Sequence, residues 1–147
     1  MKSVALLVIA LSIATIDAKI FLSCELAKEF GKSDMERHLI PHWICLVQAE
    51  SQGNTSKITD MPNLTANYGI FQINSKEWCG KDKKGGNCNM KCSDLLNDDI
   101  KDDIKCASEV FNRSGLNAWK GWQNKCKSTS TTAVNKALPN LTNCAYR

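Results

Sequence analysis

Eight cysteines, all downstream of an apolar leader, constrain this 147-residue chain more than any other feature. They are Cys24, Cys45, Cys79, Cys88, Cys92, Cys106, Cys126 and Cys144. The leader runs from Met1-Lys2-Ser3 into Val4-Ala5-Leu6-Leu7-Val8-Ile9-Ala10-Leu11 and reaches a small residue at Ala18. A basic start, a short apolar run and a small residue at the cleavage point read as a secretory signal peptide over residues 1–18. The run is too short for a membrane span, and no other stretch is long and apolar enough, so no membrane partner is expected. Cleavage after Ala18 leaves residues 19–147, roughly 130 residues, which suits one domain around one core. An even cysteine count in a secreted, extracellular chain implies disulfides, because that compartment is oxidising. Spacing alone leaves about a hundred pairings open for eight cysteines. A zinc site fits less well. Cys88 and Cys92 are close enough to share a metal, but His38 and His42 stand far from them, and eight thiols suit four bridges better.

The formal charge is +4, and it survives loss of the leader because Lys2 and Asp17 cancel. A mildly basic surface attracts anionic polymers such as bacterial wall, although ordinary solubility explains it equally well. There is no Lys/Arg run with interleaved aromatic residues, so nucleic-acid binding is not expected.

The apolar pattern is helical at both ends of the chain. Ser23 is placed to cap a first helix in which Leu26, Ala27 and Phe30 share a face and Gly31 is the stop. A second helix is expected from about Pro41, through Trp43, Ile44, Val47 and Gln48, to Glu50. Residues 52–66 are rich in Asn, Thr, Ser and Gly and read as turns. Tyr68, Ile70, Phe71 and Ile73 suit a short strand. Gly80 to Met90 reads as a loop held by its flanking cysteines. Ile100, Ile104, Ala107 and Phe111 recur at a helical period, with Asp98 or Asp99 as the cap of that third helix. A short helix around Ala118, Trp119 and Trp122 follows. Trp43 and Trp122 read as core. No repeat or linker divides the chain. Helices, a small Asn/Gly-rich β segment and more helices give an α+β fold with segregated elements.

Several motifs carry a resemblance. Cys45-Leu46-Val47-Gln48-Ala49-Glu50-Ser51 is followed by Asn67-Tyr68-Gly69-Ile70-Phe71-Gln72-Ile73-Asn74-Ser75 and by Trp78-Cys79, while Lys19-Ile20-Phe21 precedes Cys24-Glu25-Leu26-Ala27. Over essentially the whole chain after the leader, this resembles the C-type lysozyme and α-lactalbumin family. The resemblance implies a lysozyme-like fold, mostly helical with a small β subdomain and four disulfides. It implies the pairs Cys24–Cys144, Cys45–Cys126, Cys79–Cys92 and Cys88–Cys106. It also implies a monomer that needs no cofactor and cleaves the β-1,4 link between N-acetylmuramic acid and N-acetylglucosamine in bacterial peptidoglycan.

That chemistry needs two carboxyl groups flanking one glycosidic bond, one protonated and one ionised. By resemblance Glu50 is the acid, and Trp119, in Asn117-Ala118-Trp119, supplies the apolar ring beside it. In the family the residue before Tyr-Gly-Ile is an aspartate; here it is Asn67, which has neither a formal charge nor a useful nucleophilic oxygen. The register cannot slip, since Tyr68-Gly69-Ile70 and Cys79 pin both sides. Asp60 reaches the site only if its loop folds back. Glu77 stands where relatives carry an aromatic residue that stacks on sugar. Gln72, Asn74, Trp78 and Ala118 match the remaining substrate-binding positions, Trp78 and the Ala118 backbone at an N-acetyl group.

Residues 92–106 resemble the calcium loop of α-lactalbumin and the calcium-binding lysozymes. The resemblance implies a structural calcium held by the carboxylates of Asp102 and Asp103, the amide oxygen of Asn97 and the carbonyls of Asp94 and Asp99. The same stretch also reads as a solvated acidic helix start relieved by Lys101 and Lys105. Acceptor sequons occur at Asn54-Thr55-Ser56, Asn63-Leu64-Thr65, Asn112-Arg113-Ser114 and Asn140-Leu141-Thr142.

Three functions are therefore expected to compete. One is a muramidase slowed by Asn67. Another is a non-hydrolytic protein that binds peptidoglycan or chito-oligosaccharide. The third is an α-lactalbumin-like regulator of a glycosyltransferase, supported only by the acidic loop and opposed by the retained Glu50.

Overall fold

The computed structural model describes residues 18–127 and 138–146, and every structural statement refers to these. The leader expected over residues 1–18 lies outside them apart from Ala18.

Four α-helices are formed among the described residues: α1, Ser23–Gly31; α2, Ile40–Glu50; α3, Lys101–Ser114; and α4, Lys120–Lys125. Helix α1 begins at Ser23 itself, so the cap lies one residue earlier than expected. Leu22 takes the cap position, and the Glu25 carboxylate accepts its N–H at 2.9 Å, satisfying a donor that a helix start leaves open. Helix α2 has Pro41 in its first turn, where a missing N–H costs nothing. Helix α3 starts later than expected, with Ile100 as its cap. Asp99 accepts the Lys101 N–H at 3.3 Å. Asp98 is committed elsewhere, accepting the Lys19 N–H at 3.2 Å and the Thr55 hydroxyl at 2.8 Å. It thus ties the amino-terminal segment to the loop before α3.

A three-stranded antiparallel sheet forms the other half, in the order β1 (Ile58–Met61), β2 (Thr65–Tyr68), β3 (Ile73–Asn74). The turns expected over 52–66 are therefore partly strand. The single strand expected over 68–73 is two strand ends joined by a turn. Ile70 and Phe71 are fully buried, yet they sit in that turn. Gly69 at φ +71° and Gln72 at φ +51° bend the chain on either side of them. Only glycine fits at 69, since a methyl there would lie 2.0 Å from the Leu95 carbonyl oxygen.

The core gathers Leu26 and Phe30 of α1, Ile44 and Val47 of α2, Ile104 and Ala107 of α3, and Ile70 and Phe71 from the sheet side. Trp43 lies at its centre, edge-on to Phe71 at 5.9 Å and to Phe111 and Trp119 at 5.5 Å each. Such edge-to-face packing matches the ring quadrupoles and adds about 1 kcal/mol per pair beyond burial. Trp43 and Trp122 are both buried, as expected of core residues.

The four disulfides join Cys24 to Cys144, Cys45 to Cys126, Cys79 to Cys92 and Cys88 to Cys106. This is the pairing the family resemblance implies. Cys79–Cys92 closes the base of the 80–90 loop, and Cys88–Cys106 ties that loop to α3. Constraining a loop of the Cys45–Cys126 size, a separation of 81 residues, stabilises by roughly 4 kcal/mol in the chain-entropy account.

Candidate active site

A groove of about 430 Å³ runs between the helical half and the sheet. Glu50 enters it from the last residue of α2, and Asn67 from β2. Gln72, Asn74, Trp78, Ala118 and Trp119 line the same groove. All seven residues expected at the active site from sequence are therefore brought together.

Backbone contacts fix Glu50. Its Oε1 accepts the N–H of Gly121 at 2.7 Å, and its carbonyl oxygen accepts Lys57 Nζ at 2.6 Å. Trp119 forms part of the groove floor. Its indole is buried, and its N–H donates to the Phe71 carbonyl at 2.8 Å, joining the helical half to the sheet side. A buried indole needs such a partner, because an unmet N–H in an apolar setting is costly.

The amide of Asn67 is also held. Its oxygen accepts Nδ2 of Asn74 at 2.6 Å across the β2–β3 ladder, where the two residues are paired. That commits the Asn67 oxygen and leaves its N–H₂ group, which can only donate. Gln72 has a framework role. It is buried, accepts the Thr59 hydroxyl at 2.6 Å, and donates to the carbonyls of Lys57 and Gly69. Those bonds hold the left-handed turn that aims β2 and β3 at the groove. Trp78 is buried beneath the Arg113 guanidinium, 5.4 Å above its ring.

The two substitute carboxylates are separated by the structure. Asp60 stands opposite Ala66 in the β1–β2 ladder, whereas Asn67 is opposite Thr59. Side chains alternate along a strand, so Asp60 projects from the face away from Asn67. It is exposed and does not line the groove. Glu77 does line it, with its carboxylate unpartnered among the described residues.

Sequence reasoning missed Gly121, Lys57, Lys76, Lys120 and Met61. Lys76, Lys120 and Met61 line the groove. Gly121 left one signal, a glycine inside a short helical segment. A methyl there would sit 2.5 Å from Glu50 Oε1 and 2.9 Å from its carboxyl carbon.

In the acidic loop the residues of the expected calcium set make contacts within the protein. Among the described residues no three His, Cys, Asp or Glu side chains gather at one point; the expected set has two carboxylates, completed by an amide and two carbonyls. Asn97 closes its own turn, accepting the Asp99 N–H and donating to the Asp94 carbonyl, each at 2.8 Å. The Asp94 carboxylate caps the Lys91 N–H at 3.0 Å, and Asp99 pairs with Lys101 at 3.7 Å. Asp103 is 1% exposed and its carboxyl lies against Gly69, while its Oδ2 has no partner. Burial, then the charge of Asp102 and a hydrogen bond between the two carboxyls, push Asp103 up to about 9.

The sequence matches the C-type lysozyme/alpha-lactalbumin family over residues 19–136. It is 44% identical over 142 residues to lysozyme c-1 of Anopheles gambiae, covering 97% of this chain and 96% of that protein. Lysozyme from Equus asinus superposes with a TM-score of 0.72 at 35% identity, covering 86% and 99% of the two chains. A calcium-binding lysozyme from equine milk superposes equally well, at 34% identity over 86% and 98%. By sequence and by fold, this chain belongs to the C-type lysozyme/alpha-lactalbumin family.

Proposed function

We propose that the protein is a secreted, monomeric muramidase of reduced turnover, with Glu50 as the general acid on the β-1,4 glycan of bacterial peptidoglycan. The observation carrying this reading is the Glu50 carboxyl, which lines the groove and is held by the Gly121 N–H; Asn67, locked by Asn74, accounts for the reduced turnover. Glu50 supplies the leaving-group proton. Gly121 orients its carboxyl, and Trp119 excludes water from the floor beneath it. Lysozyme is the standard case for this two-carboxylate mechanism. Asn67 gives no counter-charge to a developing oxocarbenium ion, and its N–H₂ dipole opposes that charge. Catalytic groups that act as a unit are non-additive, so loss of one leaves residual turnover.

A second reading is a non-hydrolytic binder of peptidoglycan or chito-oligosaccharide, favoured by the same locked amide. The deciding experiment is cleavage of purified peptidoglycan by the disulfide-intact protein beside Glu50→Gln and Asn67→Asp. The muramidase reading expects slow native cleavage, abolished in Glu50→Gln and raised about 100-fold or more in Asn67→Asp. Native cleavage that is absent, with Asn67→Asp restoring it, establishes the binder. Native cleavage that survives Glu50→Gln removes Glu50 from its role.

A further inference from the structure

We propose that Asn63 carries an N-linked glycan, and that this glycan caps the open edge of the β sheet. The site is the hairpin between β1 and β2, where Pro62, Asn63 and Leu64 form a three-residue loop. Asn63 and Leu64 sit at φ +64° and +61°. Asparagine tolerates that left-handed conformation, which turns residue 63 outward at the tip. All three loop residues are exposed, Leu64 by 90%. The Asn63 side chain has no partner among the described residues.

The other three sequons offer less room. Asn54 is half-buried, its oxygen accepts the N–H and hydroxyl of Ser56, and its middle residue Thr55 is buried. Asn140 accepts the N–H and hydroxyl of Thr142, and its middle residue Leu141 is buried. Asn112 lies within α3, two residues before its end. Only Asn63-Leu64-Thr65 stands at a turn with its first two residues exposed. Four closed disulfides place folding in an oxidising compartment, the same one in which sequons meet their glycan donor.

The transfer balances simply. The Asn63 amide nitrogen forms a bond to the anomeric carbon of a lipid-diphosphate-linked oligosaccharide. The bond from that carbon to the phosphate oxygen breaks, the lipid diphosphate leaves, and one amide proton is released.

What the glycan would cover is also visible. Strand β1 is an edge strand, and its neighbourhood exposes Ile58 at 50%, Met61 at 41% and Leu64 at 90%. An open edge flanked by apolar side chains invites pairing with a second chain. A bulky hydrated group at the hairpin tip blocks that approach.

The test begins with the full chain secreted from a eukaryotic cell. Its intact mass is measured before and after enzymatic release of N-glycans, with peptide mapping of residue 63. We expect one glycan to be lost, Asn63 to become aspartate on release, and the shift to vanish in Asn63→Gln and in Thr65→Ala. Thr65→Ala keeps the left-handed asparagine and removes the Thr65 hydroxyl bond to the Pro62 carbonyl, so the two variants perturb the turn in different ways while both abolish the sequon. A bare polypeptide mass, or a shift that persists in both variants, overturns the site. If neither variant is secreted, mapping of the native chain decides alone. Light scattering across a concentration series then compares glycosylated and enzymatically released protein. Greater self-association after release is expected, despite the added carboxylate; equal scattering overturns the capping role.

Discussion

The N–H of Gly121 donates to Glu50 Oε1 at 2.7 Å, and the same glycine leaves no space for a side chain beside that carboxyl. Helix α4 therefore positions the Glu50 carboxyl of α2 through its backbone alone. Gly121→Val must push the carboxyl away or shift Ala49, whose Cβ would be 3.2 Å from a new methyl. Misplacing a catalytic group by about 1 Å costs on the order of 100-fold in rate. In an Asn67→Asp background, Gly121→Val is expected to lower kcat by about 10–100-fold while the melting temperature changes little. Unchanged kcat would remove Gly121 from the positioning role.

Glu77 presents a hydrated carboxylate in the groove where an aromatic ring would stack on sugar. Replacing it with tyrosine should add about 1 kcal/mol of binding, roughly a five-fold lower Kd for chito-oligosaccharide. Titration calorimetry with a soluble oligosaccharide would show this. Weaker binding by Glu77→Tyr would mean that the carboxylate itself contacts the ligand.

Asp103 makes stability fall with rising pH. An unfolded aspartate titrates near 3.8, and the folded carboxyl is pushed up to about 9. Its contribution is full below the unfolded value and is lost progressively as pH climbs to and through the folded one. Asp103→Asn keeps the shape and cannot ionise. It should be more stable than the native protein at pH 7 by roughly 1–3 kcal/mol, with the difference fading toward pH 4. Denaturant melts at several pH values test this, and a pH-independent difference would refute it.

The Asn97 amide, engaged on both sides in its own turn, predicts indifference to calcium. The melting temperature should be the same in excess calcium and in excess chelator, and calorimetric titration should show no heat of binding. A calcium-dependent rise of several degrees would show that the 94–103 segment can rearrange into a cage.

The helices were legible in the sequence because their apolar residues repeat at a helical period and their stops are marked. Leu26, Ala27 and Phe30 fixed α1, and Ile104 with Ala107 fixed α3. The sheet was not legible. Its residues face a polar groove on one side and solvent on the other, so β1, Ile-Thr-Asp-Met, shows no apolar alternation. The fully buried pair Ile70–Phe71 imitates a strand although it fills a turn. The groove residues were found because Glu50, Asn67 and Trp78 sit in specific motifs. Gly121 escaped because it acts on Glu50 through its backbone N–H, which leaves little trace in residue type, and Lys57 because its ammonium donates to the Glu50 carbonyl oxygen rather than to the carboxylate. The acidic loop was legible only as a cluster of five aspartates; the fold shows Asp94, Asp98 and Asp99 engaged by backbone N–H groups, and Asp103 buried beside a half-buried Asp102.

The Cys45–Cys126 bridge has a consequence for where the protein can work. Cys45 lies on α2 five residues before Glu50, and Cys126 directly follows α4, which carries Gly121. The Glu50 carboxyl and the backbone group that aims it are thus bolted together by one reducible bond. Opening it leaves the Gly121–Glu50 hydrogen bond and side-chain packing as the links between α4 and α2. The alignment of the groove is in this sense reinforced by oxidation, and reducing surroundings would loosen it.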